Sequence, residues 1–127
     1  MNNHVHLIAA AKGGFNLSDI LRDFKKFTSK KLFSAIEENA QESRKGWMLW
    51  LFRSAGKNNT NNKNFQVWQQ DNHPIELSTG EMVKQRLDYL HNNPVEEGIV
   101  FEPEHYVYSS ARDYAGGKGL LEVEFLI

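Results

Sequence analysis

A layered α/β or α+β domain, rather than a helical bundle, is what the order of segments in this sequence predicts. Three observations carry that reading. "HVHLIAAA" is apolar, contains a β-branched residue and ends at the turn signal "KGG". "FQVWQQD" alternates and is stopped by "NHP". Two longer stretches repeat their apolar residues at helical spacing.

Each element has its own justification. The first strand is expected over residues 4–10. In "NLSDILRDFKKFTSKKLFSAIEENA", Leu17, Ile20, Leu21, Phe24, Phe27, Leu32 and Ile36 recur at roughly helical intervals, with Asn16 or Ser18 as N-cap and Asn39 at the end. "RKGWMLWLFRSAG" is apolar and aromatic throughout, and helix and strand are equally open to it. "GKNNTNNKN" is a polar loop, expected to be mobile. "FQVWQQD" is the second strand. Ser78 and Glu81 make a capping-box pattern ahead of "EMVKQRLDYLHN", a helix expected to run to Pro94. The tail holding "EHYVYSSARDY" is expected to be irregular with short helical turns.

At 127 residues the chain is read as a single domain, 1–127. It contains no cysteine, which excludes disulfides and thiolate metal sites and suits a reducing cytoplasm. No apolar run is long enough for a membrane span. The near-neutral total hides an asymmetry: residues 1–63 hold 11 Lys and Arg against 5 Asp and Glu, and residues 64–127 hold 4 against 11. The basic residues are densest around Arg22, Lys25, Lys26, Lys30 and Lys31. A basic face of this kind suits a polyanion, although a solvated helix face has the same composition.

The histidines come next. Side chains at i and i+2 of a strand share a face, so His4 and His6 would present two imidazoles side by side. Such a pair chelates a divalent cation if a third ligand is available, and otherwise is an incidental pair on a strand. In "DYLHNNPV", Tyr89 and Asn93 lie one helical turn apart, to one side of the stripe made by Val83, Leu87 and Leu90. Tyr89 there is either a boundary residue or a nucleophile beside a metal-polarised phosphate. Histidine-triad hydrolysis is disfavoured because Ile8 occupies the third alternating position.

"MNNHVHLI", "LSDILRDFKKFTSKKL", "FQVWQQDNHPIEL", "YLHNNPVEEGIV" and "PEHYVYSSARDY" occur in the order seen in the REP-associated tyrosine transposases. These are single-tyrosine members of the HUH nuclease superfamily, in which U is a hydrophobic residue. The chain resembles them over nearly its whole length, to about Leu121. The resemblance implies an α+β, ferredoxin-like HUH-nuclease fold with an antiparallel sheet and the helices on one face. It implies that His4 and His6 look like the paired metal ligands, Asn93 like the third ligand and Tyr89 like the nucleophile. The metal would be Mg²⁺ or Mn²⁺. The substrate would be single-stranded or hairpin DNA, cut through a 5′-phosphotyrosine link, in the cytoplasm at the nucleoid. Arg22, Lys25, Lys26, Lys30 and Lys31 would neutralise DNA phosphates. Trp68 would either stack on unpaired bases or sit in the core.

The chain departs from the family at its start. Family members carry a strand and a helix ahead of the histidine pair, and Asn3 stands where they often have proline. The expectation is an N-terminally truncated domain whose open sheet edge, with the apolar residues 47–52, drives homodimerisation. The alternative is an inactive transposase fragment that binds nucleic acid without cutting it.

Overall fold

The computed structural model describes residues 3–60 and 64–127; Met1, Asn2 and residues 61–63 of the polar loop lie outside the described residues. The chain forms two compact units, one from its N-terminal residues through Ala9 together with Pro74–Ile127, the other from Ala10–His73.

The structure overturns the expected fold class. Among the described residues there is no β-strand, hence no antiparallel sheet and no ferredoxin-like layer. The elements are α1 (Leu17–Glu38), α2 (Lys45–Lys57), α3 (Gly80–Glu96), a 3₁₀ turn at Pro103–His105 and a short α4 (Ala111–Tyr114). The reason is pairing. A β-branched, alternating segment becomes a strand only where a neighbour completes its hydrogen-bond ladder. Residues 4–10 carry no backbone–backbone hydrogen bond among the described residues, and Val5 and Leu7 each stay 63% exposed. Residues 65–71 are held by other means: Gln66 N–H donates to Phe52 O of α2 (2.9 Å), and Lys25 Nζ donates to Gln69 O (2.8 Å). Backbone groups engaged by a helix carbonyl and a lysine are not available to a ladder.

In the Ala10–His73 unit, α1 starts at Asn16, whose side chain accepts from Ser18 N–H at 2.8 Å, and closes at Asn39, whose N–H bonds Ala35 O and Ile36 O. The apolar segment left open by its composition is the helix α2. The unit is organised by aromatic packing. Phe33 is buried and stacks face to face on Phe65, with ring centres 4.0 Å apart, and the Arg53 guanidinium lies 5.3 Å from the Phe33 ring. Trp68 is half-buried and donates from Nε1 to Thr28 Oγ1 (2.8 Å), its ring tilted 6.1 Å from Phe24. Gly56 is what lets the 65–68 segment lie against α2, because a Cβ there would meet the Phe65 Cα at 2.6 Å.

In the other unit, the N-cap of α3 is Thr79 rather than Ser78: Met82 N–H donates to Thr79 Oγ1 at 3.2 Å, while the Ser78 hydroxyl turns to Met82 Sδ. The helix does not end before Pro94. It continues to Glu96 with Pro94 inside it and fully buried, and the Pro94 carbonyl accepts from Ile99 and Val100. His91 points away from solvent and ties α3 to the C-terminal turns. Its Nε2 lies 2.9 Å from Ser110 Oγ, and its ring meets Tyr114 edge-on, which in turn packs on Phe125. Burial pushes the His91 imidazole below its ordinary pKa, with Asp88 opposing.

Gly56→Ala tests the close approach at α2. The added methyl cannot be accommodated without moving the Phe65 backbone, so denaturant unfolding should show a loss of about 1–3 kcal/mol. A variant as stable as the parent would show that the 65–68 segment does not lie where it is described.

Candidate functional site

The site belongs to the unit containing α3, and the sequence separation of its parts is its first notable property. His6 Nε2 lies 3.3 Å from Asn93 Nδ2, across 87 positions of chain. The His6 ring meets the Tyr89 ring edge-on, with centres 5.7 Å apart. The His4 and His6 rings are 5.0 Å apart and nearly perpendicular. The structure therefore brings His4, His6, Tyr89 and Asn93 together, although the histidines ride on an extended segment rather than on a strand.

Helix geometry explains the α3 side. Tyr89 and Asn93 are one turn apart and stack along the axis. Asn93 is 7% exposed, so it belongs to the buried face with Leu87, His91 and Pro94 rather than beside it. Tyr89 is 50% exposed and keeps an accessible ring.

The hydrogen bonds assign the ring protons. His4 Nδ1 lies 2.7 Å from Asn3 Oδ1. An amide oxygen can only accept, so His4 Nδ1 carries the proton and His4 Nε2 keeps its lone pair. With the Asn93 amide nitrogen turned to the ring, as here, that nitrogen donates and the His6 Nε2 lone pair accepts. Partial burial, then the neighbouring His4, push the His6 imidazole below its ordinary pKa, with Glu97 pulling the other way. The neutral ring is the ligating form.

These residues fit a divalent cation. Two imidazoles sharing one ion at a metal–nitrogen distance of about 2.1 Å have ring centres about 5 Å apart, which matches the His4–His6 spacing of 5.0 Å. Adjacent donors on an octahedral ion at about 2.1 Å lie about 3 Å apart, close to the 3.3 Å between His6 and Asn93. Asn93 Oδ1 accepts no hydrogen bond among the described residues, and a half-turn of the amide puts it where Nδ2 stands. Among the described residues no three His, Cys, Asp or Glu side chains cluster as a metal site, so a third donor beside the imidazoles would be this amide.

The five basic residues lie on α1, in the other unit, and their charges are not equivalent. Arg22 is paired locally with Asp19 (2.8 Å) and Asp23 (3.0 Å). Lys25 is spent on Gln69 O, and Lys31 Nζ lies 5.7 Å from the Phe27 ring. Lys26 and Lys30 line one shallow depression with Asp23 and Phe27, and neither makes an ion pair among the described residues. Two residues of the α3 unit escaped sequence reasoning. Asn3 orients His4, which no motif announces. Glu97, one turn beyond Asn93, carries a charge that opposes the lowering of the His6 pKa, and the spacing 89, 93, 97 was its only sequence signal.

The tautomers can be checked directly. Long-range ¹H–¹⁵N spectra should show His4 protonated at Nδ1, and Asn3→Ala should return it toward the Nε2–H form that free histidine prefers. A wild-type His4 already in the Nε2–H form would refute the assignment.

Comparison with known proteins leaves these residues to be judged on their own geometry: no protein-family model matches the chain, and neither curated proteins nor solved structures give a match.

Proposed function

We propose that the chain cleaves and rejoins single-stranded or hairpin DNA through Tyr89, with His4, His6 and Asn93 holding Mg²⁺ or Mn²⁺, as in the REP-associated tyrosine transposases it resembles. The observation that carries this reading is the meeting of His6 with Tyr89 and Asn93 from opposite ends of the chain. Bound there, a divalent cation supplies Lewis-acid polarisation of the phosphate oxygens. The chain's own residues do the rest. Tyr89 is half-exposed, so a phosphodiester can reach its hydroxyl. The Tyr89 oxygen attacks phosphorus, forming a phosphotyrosine bond as the bond to the 3′-oxygen breaks. The phenolic proton passes through solvent to that 3′-oxygen, leaving a free 3′-hydroxyl. Reversal by another 3′-hydroxyl returns the tyrosine. Lys26 and Lys30 bind backbone phosphates and steer the strand. This reading sets the protein at the nucleoid. No helix among the described residues is long and apolar enough to cross a membrane.

One observation favours a second reading, binding without cleavage. No sheet backs the histidine segment among the described residues, and a site held on an unpaired segment is less preorganised than one held on a rigid element.

Two measurements separate these readings. With Mn²⁺ and a single-stranded hairpin, the wild-type chain should form a covalent adduct that survives denaturing electrophoresis. Tyr89→Phe should abolish the adduct while changing DNA affinity by no more than about twofold. A wild-type chain that binds the hairpin and forms no adduct would establish the second reading. Independently, Lys26→Ala with Lys30→Ala should flatten the slope of log affinity against log salt by about 1.4, since each phosphate contact to a single strand contributes about 0.7. An unchanged slope would remove α1 from the DNA interface.

A further inference from the structure

α1 carries a phenyl ring among its lysines. Phe27 is 63% exposed. It lines a shallow depression with Asp23, Lys26 and Lys30, and Lys31 Nζ lies 5.7 Å from its ring centre. It meets no other aromatic ring among the described residues, whereas Phe24 lies against Trp68 and Phe33 stacks on Phe65. Trp68, whose place in the sequence left base stacking open, is used in packing instead: its indole N–H donates to Thr28 Oγ1 and its ring is half-buried. Asp23 does not cancel the lysines of the depression, because its carboxylate is already paired with Arg22 at 3.0 Å. The whole unit is basic, with 11 Lys and Arg against 6 Asp and Glu over Ala10–His73.

We infer that Phe27 stacks on an unpaired base of a bound single strand of DNA while Lys26 and Lys30 take the phosphates on either side, and that this contact gives α1 a preference for single strands over duplex. The inference rests on the DNA reading above, and on its α1 part alone. In a strand each base hangs from a sugar between two phosphates. Along α1 the order Lys26, Phe27, Lys30 sets a flat apolar face between two cations about 6 Å apart along the axis. Every base has a π face, so stacking on the ring is tolerant of sequence. The lysines alone bind single strands and duplex alike, through charge. In a duplex the base faces are covered by their neighbours, and the phenyl ring has nothing to stack on. A second copy of the chain fits this patch worse. A two-fold contact through it sets Lys26, Lys30 and Lys31 against their own copies, and like charges repel.

The test is binding of the full chain, without metal, to an oligothymidine and to a duplex of the same length over a range of salt. Phe27→Leu keeps an apolar side chain and removes the π face. It should weaken oligothymidine binding about tenfold, change duplex binding by no more than about twofold, and leave the slope of log affinity against log salt as it was, since no phosphate contact is lost. Its Tm should match the wild type, because the ring is exposed. Phe27→Tyr should bind like the wild type. Phe15→Leu, at a ring 73% exposed just ahead of α1, should change neither affinity. If Phe27→Leu binds oligothymidine like the wild type while Lys26→Ala with Lys30→Ala flattens the salt slope, stacking is overturned and α1 stands as a DNA interface. Equal weakening on strand and duplex, or equal weakening by Phe15→Leu, overturns stacking too. So does a Phe27→Leu chain whose only change is the loss of a dimer in sedimentation, which assigns the ring to a second copy. A wild-type chain that binds neither DNA overturns both.

Discussion

The site depends on the continuity of α3 through Pro94. A proline inside a helix deletes one backbone donor and crowds the preceding turn, at a cost of about 3 kcal/mol. The residue before it also prefers extended geometry. Had the helix ended there, Asn93 would have left the line of Tyr89. Instead Pro94 is fully buried, the ladder resumes beyond it with Glu97 N–H on Asn93 O, and the Pro94 carbonyl accepts from Ile99 and Val100. Burial of the ring offsets part of the cost. One helix thus lines up a phenol, an amide and a carboxylate.

The Ala10–His73 unit follows a different logic. Its packing rests on a few aromatic contacts around Phe33 and on the bare face of Gly56, while Trp47 and Trp50 remain exposed. Phe33 and Leu49 are its buried apolar side chains among the described residues. With burial of about 25 cal/mol per Å² as the main favourable term, so sparse a core leaves small margins. Its basic helix has limited free charge, because Arg22 and Lys25 are already engaged.

Much of the helical content was legible. The spacing of apolar residues and the Asn16 and Asn39 caps marked α1 within a residue or two. The start of α3 was off by one cap, since Ser78 and Thr79 offer the same chemistry and only the backbone geometry chooses. α2 was ambiguous for a physical reason: six consecutive apolar residues from Trp47 to Phe52 show no period, and its buried stripe is set by Leu49 and Gly56 alone. The two strands expected at 4–10 and 65–71 are absent among the described residues, because a strand is a property of two segments and a local pattern names only one. The gathering of His4, His6, Tyr89 and Asn93 was legible only through the resemblance. The burial of Asn93 and the hydrogen bond of Asn3 to His4 were not, since each depends on what the rest of the chain sets beside it.

Among the described residues, the segment carrying His4 and His6 has no backbone–backbone hydrogen bond. The contacts its imidazoles make among the described residues are with side chains: Asn3 on one ring, Tyr89 and Asn93 on the other, and each ring on its neighbour. Ordering this segment and gathering the ligands are then one event with one free energy. Any cation or strand that fixed the segment would be weakened by the entropy of fixing it and would report that entropy in its affinity. A neighbour that paired with the backbone of residues 4–9 from outside would have the opposite effect, tightening the site without touching a ligand.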